Sequence, residues 1–235
     1  TIYRRDRDWI EVYDGAAWRV QGVGIVSSTG DLSAITNPTT GQLAYSTGDN
    51  LLYRWTGSAW RAQGAWTTTT TLGASAPSIL ITGIPTYLRT LKVTWTGRTD
   101  LAATVAQFLN MRIGTASGID SASNYRWAVT QTVAGAVSGS IGNAVNLMIV
   151  GVVPGASAIA NAFASGVINF AGWNSPHSTY LGHTYTAQYM QSVTEYWIHN
   201  GGGHYSQAGP YTQIQLFPGA GNFVTGTSVT VTGSE

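Results

Sequence analysis

The sequence predicts an all-β protein: N-terminal β-hairpin repeats followed by a β-sandwich (jelly-roll-like) domain. Three observations carry that expectation. A phrase is written twice near the N terminus, as "YDGAAWRVQG" at 13–22 and "WTGSAWRAQG" at 55–64. Beyond residue 77, runs of Val, Ile, Thr and aromatic residues alternate with clusters of Gly, Pro, Asn and Ser, the rhythm of short strands and turns. No stretch sustains the 3.6-residue apolar period of an amphipathic helix.

The repeat is longer than the quoted phrase. At an offset of 42, Tyr3 falls on Tyr45, Tyr13 on Trp55, Gly15 on Gly57, Trp18 on Trp60 and Arg19 on Arg61. Each unit reads as a strand, a polar turn ("RRDRD" or "STGDN"), a second strand, a tight turn at Asp14-Gly15 or Thr56-Gly57, and a third strand. Asp-Gly between β-prone runs is a strong hairpin signal, because the central turn residues must tolerate positive φ. A lone hairpin is marginal in water and must pack on something. Residues 1–64 are therefore expected to form an oligomerising stem or connector, with Trp9, Tyr13, Trp18, Tyr53, Trp55 and Trp60 as contacts between copies. A small meander folded back on the main domain is the plainer alternative. The second unit is introduced by "NPTTGQLAY" and the first has no such lead-in, so the natural polypeptide is expected to continue upstream.

Residues 65–77, "AWTTTTTLGASAP", read as a linker. The domain at 78–235 is expected to fold alone, from strands at "SILIT", "LKVTWT", "FLNMRI", "YRWAVT", "VNLMIVGV", "SGVINF", "TYTAQYM", "TEYWIH", "TQIQLF" and "SVTVT". The helix-like "ASAIANAFAS" at 156–165 reads as a turn or two on a loop.

Composition narrows the function. Charged residues are 9% of the 235 and the net charge is +1, where ordinary domains carry about 25%. Lys92 is the single lysine and cysteine is absent. Such a surface is expected to be covered by copies of the chain or by neighbours. No basic track could follow a phosphate backbone, no run reaches the ~18 apolar residues of a spanning helix, and thiol chemistry has no residue to use. Neither nucleic acid nor membrane insertion is expected.

"NPTTGQLAYSTGDNLLYRWTGSAW" resembles the short P-x-x-G-Q-x-x-Y…G-x-x-W units of bacteriophage tail fibres and minor tail proteins. "FLNMRIGTASGIDSASNYRW" and "YTQIQLFPGAGNFVTGTSVTVTG" are similar to the opening and closing signatures of a domain that often follows such units. The chain departs from that pattern at Gly114-Thr115-Ala116, where an Asn-Gly-Asp is usual, and at Thr232-Gly233, where the pattern closes in Tyr-Gly. The resemblance implies a virion-surface protein, a homotrimer beside other virion proteins, with a knob for host attachment. A capsid decoration or head-fibre protein of purely structural role is the alternative.

A carbohydrate-active enzyme is the third class, and the carboxylates argue against it. From residue 65 onward there are Asp100, Asp120, Glu195 and Glu235, whereas glycoside hydrolysis needs two carboxylates flanking one bond. Asp100 and Asp120 sit in polar loop sequence, where turn chemistry explains them. No enzyme and no cofactor is expected. "HNGGGH" would set His199 and His204 across a glycine-rich hairpin, with Glu195 on the face of His199, but a full metal ligand set is lacking. The aromatics of 170–211 are more informative. "GWNSPHSTYLGH" and "NGGGHY" place Trp173, His177, Tyr180, His204 and Tyr205 among turn residues. Exposed rigid rings beside amides and hydroxyls suit a surface for host cell-wall carbohydrate.

Overall fold

The computed structural model describes residues 2–4, 9–13, 16–48, 51–63, 65–102, 106–175, 180–190 and 196–234; the side chains of 2–4, 9–13, 20, 21 and 190 are outside the description. The chain divides into two compact units, Thr1–Trp66 and Thr67–Glu235.

The first unit realises the repeat strand by strand. Strands β1 (Ile2–Arg4), β2 (Trp9–Tyr13) and β3 (Trp18–Gln21) form one antiparallel sheet. Strand β4 (Val23–Val26) follows, and β5 (Leu43–Ser46), β6 (Leu51–Trp55) and β7 (Trp60–Gln63) repeat the meander. The registers agree at the same offset. Tyr3 faces Ile10 as Tyr45 faces Leu52, and Tyr13 faces Trp18 as Trp55 faces Trp60. The second hairpin closes through the four residues 56–59, in which the Thr56 N–H donates to Ala59 O at 2.9 Å and Gly57 takes φ 100. The turn is thus wider than a two-residue Thr-Gly turn. Strand β4 lies parallel to β5, Val23 on Leu43. The strand that follows the first repeat is thereby added to the second.

The equivalent stretch after the second repeat, β8 (Trp66–Thr71), joins the sandwich. Its sheet also contains β10 (Thr90–Gly97), β13 (Tyr125–Val133), β14 (Ala136–Val145), β16 (Ala164–Ala171), β17 (Leu181–Met190), β18 (Tyr196–Tyr205) and β20 (Ser228–Ser234), eight strands in the order β14-β13-β18-β17-β16-β10-β20-β8. The second sheet has five: β9 (Ile79–Ile81), β11 (Ala106–Thr115), β12 (Gly118–Ile119), β15 (Met148–Pro154) and β19 (Gln213–Pro218). The fold is all-β, and its core is the space between unequal sheets. Strand β15 is buried at every position, as expected of a strand covered on both faces. Leu91, Val93, Trp95, Ile168, Tyr185 and Val231 are buried in this core from the wide sheet.

Two segments differ from expectation. The linker at 65–77 carries β8, whose Thr67, Thr69 and Thr71 hydroxyls pair with Thr232, Thr230 and Ser228 at 3.3, 2.8 and 2.9 Å. Threonine is β-branched, and a run of it suits an edge strand as well as a boundary. Strand β14, "AVSGSIGNAV", carries turn-like composition because only Gly142 in it is buried. It is held by a two-residue turn, Ala134 and Gly135, at φ 48 and 88. The stretch at 156–165 is a loop wrapped around a buried guanidinium up to residue 163, and its last two residues open β16. Arg98 Nη1 donates to Ile159 O and Ala162 O at 2.6 and 3.0 Å, and Nη2 to Ala156 O at 3.2 Å.

Candidate binding surface

Strand alternation gives the wide sheet an inner face of apolar and aromatic residues and an outer face of small polar ones. From β20, β10 and β17 the outer face presents Thr230, Thr232, Thr94, Thr96, Thr184 and Thr186. Lys92 and Arg126 are the charged side chains among its described strand residues, apart from His204. A shallow furrow of about 420 Å³ crosses it between Thr94, Ser165, Thr186, Gln188 and Thr230. A second, of about 560 Å³, runs over Gly202 between Asn200 and Ile141. Val137 and Ile141 are each 70% exposed there. No described helix covers this face.

Tyr180 and His204 meet at one end of the outer face. Register places Arg126, His204 and Gly182 side by side on β13, β18 and β17. Gly182 has no side chain, and a β-carbon there would touch nothing within 4 Å. The result is a cavity of about 750 Å³ lined by Arg126, Tyr180, Gly182, His204 and Ser206. Tyr180 is 56% exposed and meets the His204 ring edge-on at 5.5 Å and 76°. Ser206 Oγ donates to Asn124 O at 2.9 Å. On the other flank of Tyr180, a cavity of about 290 Å³ is bounded by Thr86, Arg89, Asn174 and the 208–211 turn. Arg89 Nη1 donates to Asn174 O at 2.7 Å.

Two of the expected surface rings are instead core. Trp173 is 0% exposed and Tyr205 is 2% exposed. The "GWNS" turn, with φ 80 at Gly172 and 52 at Asn174, turns the indole inward onto Phe170 and Tyr211 at 5.2 and 5.5 Å. Asn174 Nδ2 donates to Tyr211 O at 3.0 Å and fixes that geometry. Tyr205 stacks on Tyr125 at 4.7 Å and donates to the Asp120 carboxylate at 2.8 Å. Its burial and that carboxylate push the phenol above its ordinary range. Its place as the last inward residue of β18, at even spacing from His199 through Gly201 and Gly203, decides the matter. His177 lies outside the described residues.

The histidine pair is also corrected. His199 and His204 share one continuous strand and point to opposite faces. His199 is buried between Trp197 and Phe108, at 6.0 and 6.1 Å, and burial pushes its imidazole down to about 4. His183, also buried, is lowered to about 4 by desolvation. Among the described residues no cluster of three metal-ligating side chains occurs, and Glu195 lies outside the description. Of the expected contacts between copies, Tyr53 is 6% exposed, within hydrogen-bond distance of Thr29 Oγ1 at 3.2 Å. It therefore belongs to the core of its own unit. Trp55 and Trp60 pair at 5.5 Å and are half-buried, and Trp18 is exposed. The side chains of Trp9 and Tyr13 are outside the description.

The two loop aspartates are occupied in holding turns. Asp100 accepts the Asn222 N–H at 2.7 Å and its Nδ2 at 3.2 Å, which lowers the carboxyl. Asp120 is partly desolvated, which opposes ionisation, but donors from Asn124, Ala122 and Tyr205 outweigh this and lower it. Arg126 and Gly182 were not singled out from sequence, although alternation in "NYRWAVT" points Arg126 away from Tyr125 and Trp127. No family model, no curated protein and no solved structure matches this chain. Fold and site together define an all-β chain of tandem hairpin modules and a sandwich, with a concave aromatic and cationic site at the sheet's outer end.

Proposed function

We propose that the chain is a bacteriophage virion-surface protein of tail-fibre, minor-tail or spike type, a homotrimer that presents its β-sandwich knob to the host cell wall. The observation that carries this reading is the addition of strands from module to module. The strand after the first repeat is built into the second, and the strand after the second is built into the sandwich. A chain whose modules follow one another in this way suits a projecting connector with a terminal knob. Val23, Ile25 and Trp18 are exposed on the hairpin unit, and apolar residues placed so are supplied for neighbouring copies or other virion proteins. The outer face of the knob, almost free of charge, and the Tyr180 cavities supply the contact surface. Asp100 and Asp120 serve turns, so the reading is of attachment without catalysis. Antibodies raised against the full chain should label intact particles at their surface, and mass photometry should return a three-chain species. Unlabelled particles together with a monomer of 24.8 kDa would overturn the proposal. Label confined to capsid faces, with no binding to cells, would move the protein to capsid decoration.

A further inference from the structure

We infer that the two cavities flanking Tyr180 bind an acidic glycan, with the Tyr180 ring stacking on a sugar and Arg126 taking its carboxylate or phosphate. The inference rests on the host-contact reading above and names the ligand class for that same surface.

Arg126 carries the charge argument. Its side chain is exposed and makes no ion pair with any described residue. In a chain with 9% charged residues, a guanidinium left open beside a cavity is a specific provision. Arg89, on the other flank, spends its Nη1 on the carbonyls of Thr86, Leu88 and Asn174. Carbonyls satisfy its donors without neutralising it. Asp100 and Asp120, the described carboxylates of the sandwich, line neither cavity. Both cavities are therefore cationic with no described carboxylate to cancel them. A guanidinium binds a carboxylate or phosphate through two parallel N–H donors, which gives orientation as well as strength.

The sugar argument comes from the ring and its surroundings. Tyr180 is held edge-on by His204, so its orientation is set before a ligand arrives and little entropy is lost on binding. The missing side chain at Gly182 leaves space beside His204 for a ring-sized group. Beyond it the face continues in hydroxyl and amide groups, Thr184, Thr186 and Gln188, which suit a neutral hydroxylated backbone. A nucleic acid would call for a line of cations along its path, and Lys92 is the one further cation on the described strand residues of this face.

The test uses the full chain with four probes: polygalacturonate for the carboxylate, poly(glycerol phosphate) for the phosphate, dextran as neutral polymer, and single-stranded DNA. One or both acidic glycopolymers should bind, with affinity falling as salt rises, and dextran should not. Arg126→Gln should weaken binding about tenfold and flatten the salt dependence. Tyr180→Ala should weaken it about fivefold and leave the salt slope in place. Both residues are exposed, so the melting temperature of each variant should match the parent. Preference between the two acidic polymers identifies the anion's source. Wild-type affinity in Arg126→Gln, equal binding of dextran, or a preference for DNA would each overturn the inference. Surface labelling of particles with unchanged affinity in Arg126→Gln would reject this site while leaving the virion reading intact.

Discussion

Replacing Trp173 with alanine should destabilise the sandwich. The ring is 0% exposed and lies edge-on to Phe170 at 5.2 Å and to Tyr211 at 5.5 Å. Removing a buried aromatic costs ~3–5 kcal/mol, counting the lost transfer energy and the cavity left behind. In a unit of this size each kcal/mol lowers the melting temperature by about 2–4 °C, so a fall of roughly 6–20 °C is expected. Among the described residues the indole N–H has no hydrogen-bond partner, which allows a sharper version. Trp173→Phe keeps the edge contacts, loses no hydrogen bond, and should recover more than half of the loss. Tyr180→Ala serves as the exposed counterpart and should stay within ~0.5 kcal/mol of the parent. Scanning calorimetry of the full chain reads all three. A Trp173→Ala protein melting within about 2 °C of the parent would mean that the indole does not close the core as described.

Two further outcomes follow from the same core and its edge. His183 and His199 are pushed down to about 4 by burial, so the unfolded chain takes up their protons near pH 6.5 and the folded chain only near 4. Stability should therefore be full above about pH 6.5 and be lost as pH falls toward 4, with His183 contributing about 3 kcal/mol; a flat melting temperature across that window would refute it, and His199→Phe should reduce the slope. A fragment beginning at Thr67 should unfold cooperatively, whereas one beginning at Ser78 loses β8 and bares the β20 edge, which favours association; equal melting temperatures and equal solubility for the two would show that the Thr67–Thr71 ladder contributes nothing.

Much of the sandwich was legible because its strands alternate. In "LKVTWT" every second residue is apolar, and those residues, Leu91, Val93 and Trp95, are the buried ones. The hairpin repeats were legible because the same residues recur at one offset and so must pair in one register. Strand β14 was not, since a strand solvated on both faces leaves no periodic trace. Among the site residues, Tyr180 and His204 were found by their neighbours in sequence, turn formers beside an aromatic. That signal cannot tell a ring at a turn's surface from a ring that a turn drives inward. Trp173 is the second kind, because positive φ at Gly172 and Asn174 reverses the chain over the core.

The glycine triplet shows the same ambiguity at the level of chemistry. "HNGGGH" reads as a turn because glycine lifts steric limits on φ, yet none of the three takes a positive φ here. The limit they lift is one of approach. A β-carbon on Gly201 would stand 2.7 Å from Tyr185 Cε1, and one on Gly202 would stand 2.6 Å from His183 O. One on Gly203 would collide with Arg126 O. The inward glycine lets the Tyr185 ring lie down across β18, which fills the core. The outward glycine, Gly202, floors the furrow beside Asn200 and Ile141. A substitution at Gly201 or Gly203 thus strikes packing first, while the furrow above Gly202 is a consequence of how closely β13 and β17 approach the strand between them. Those partners lie outside the glycine string, on the preceding strand and on the distant β13, so the local string could not reveal which of glycine's two freedoms was in use.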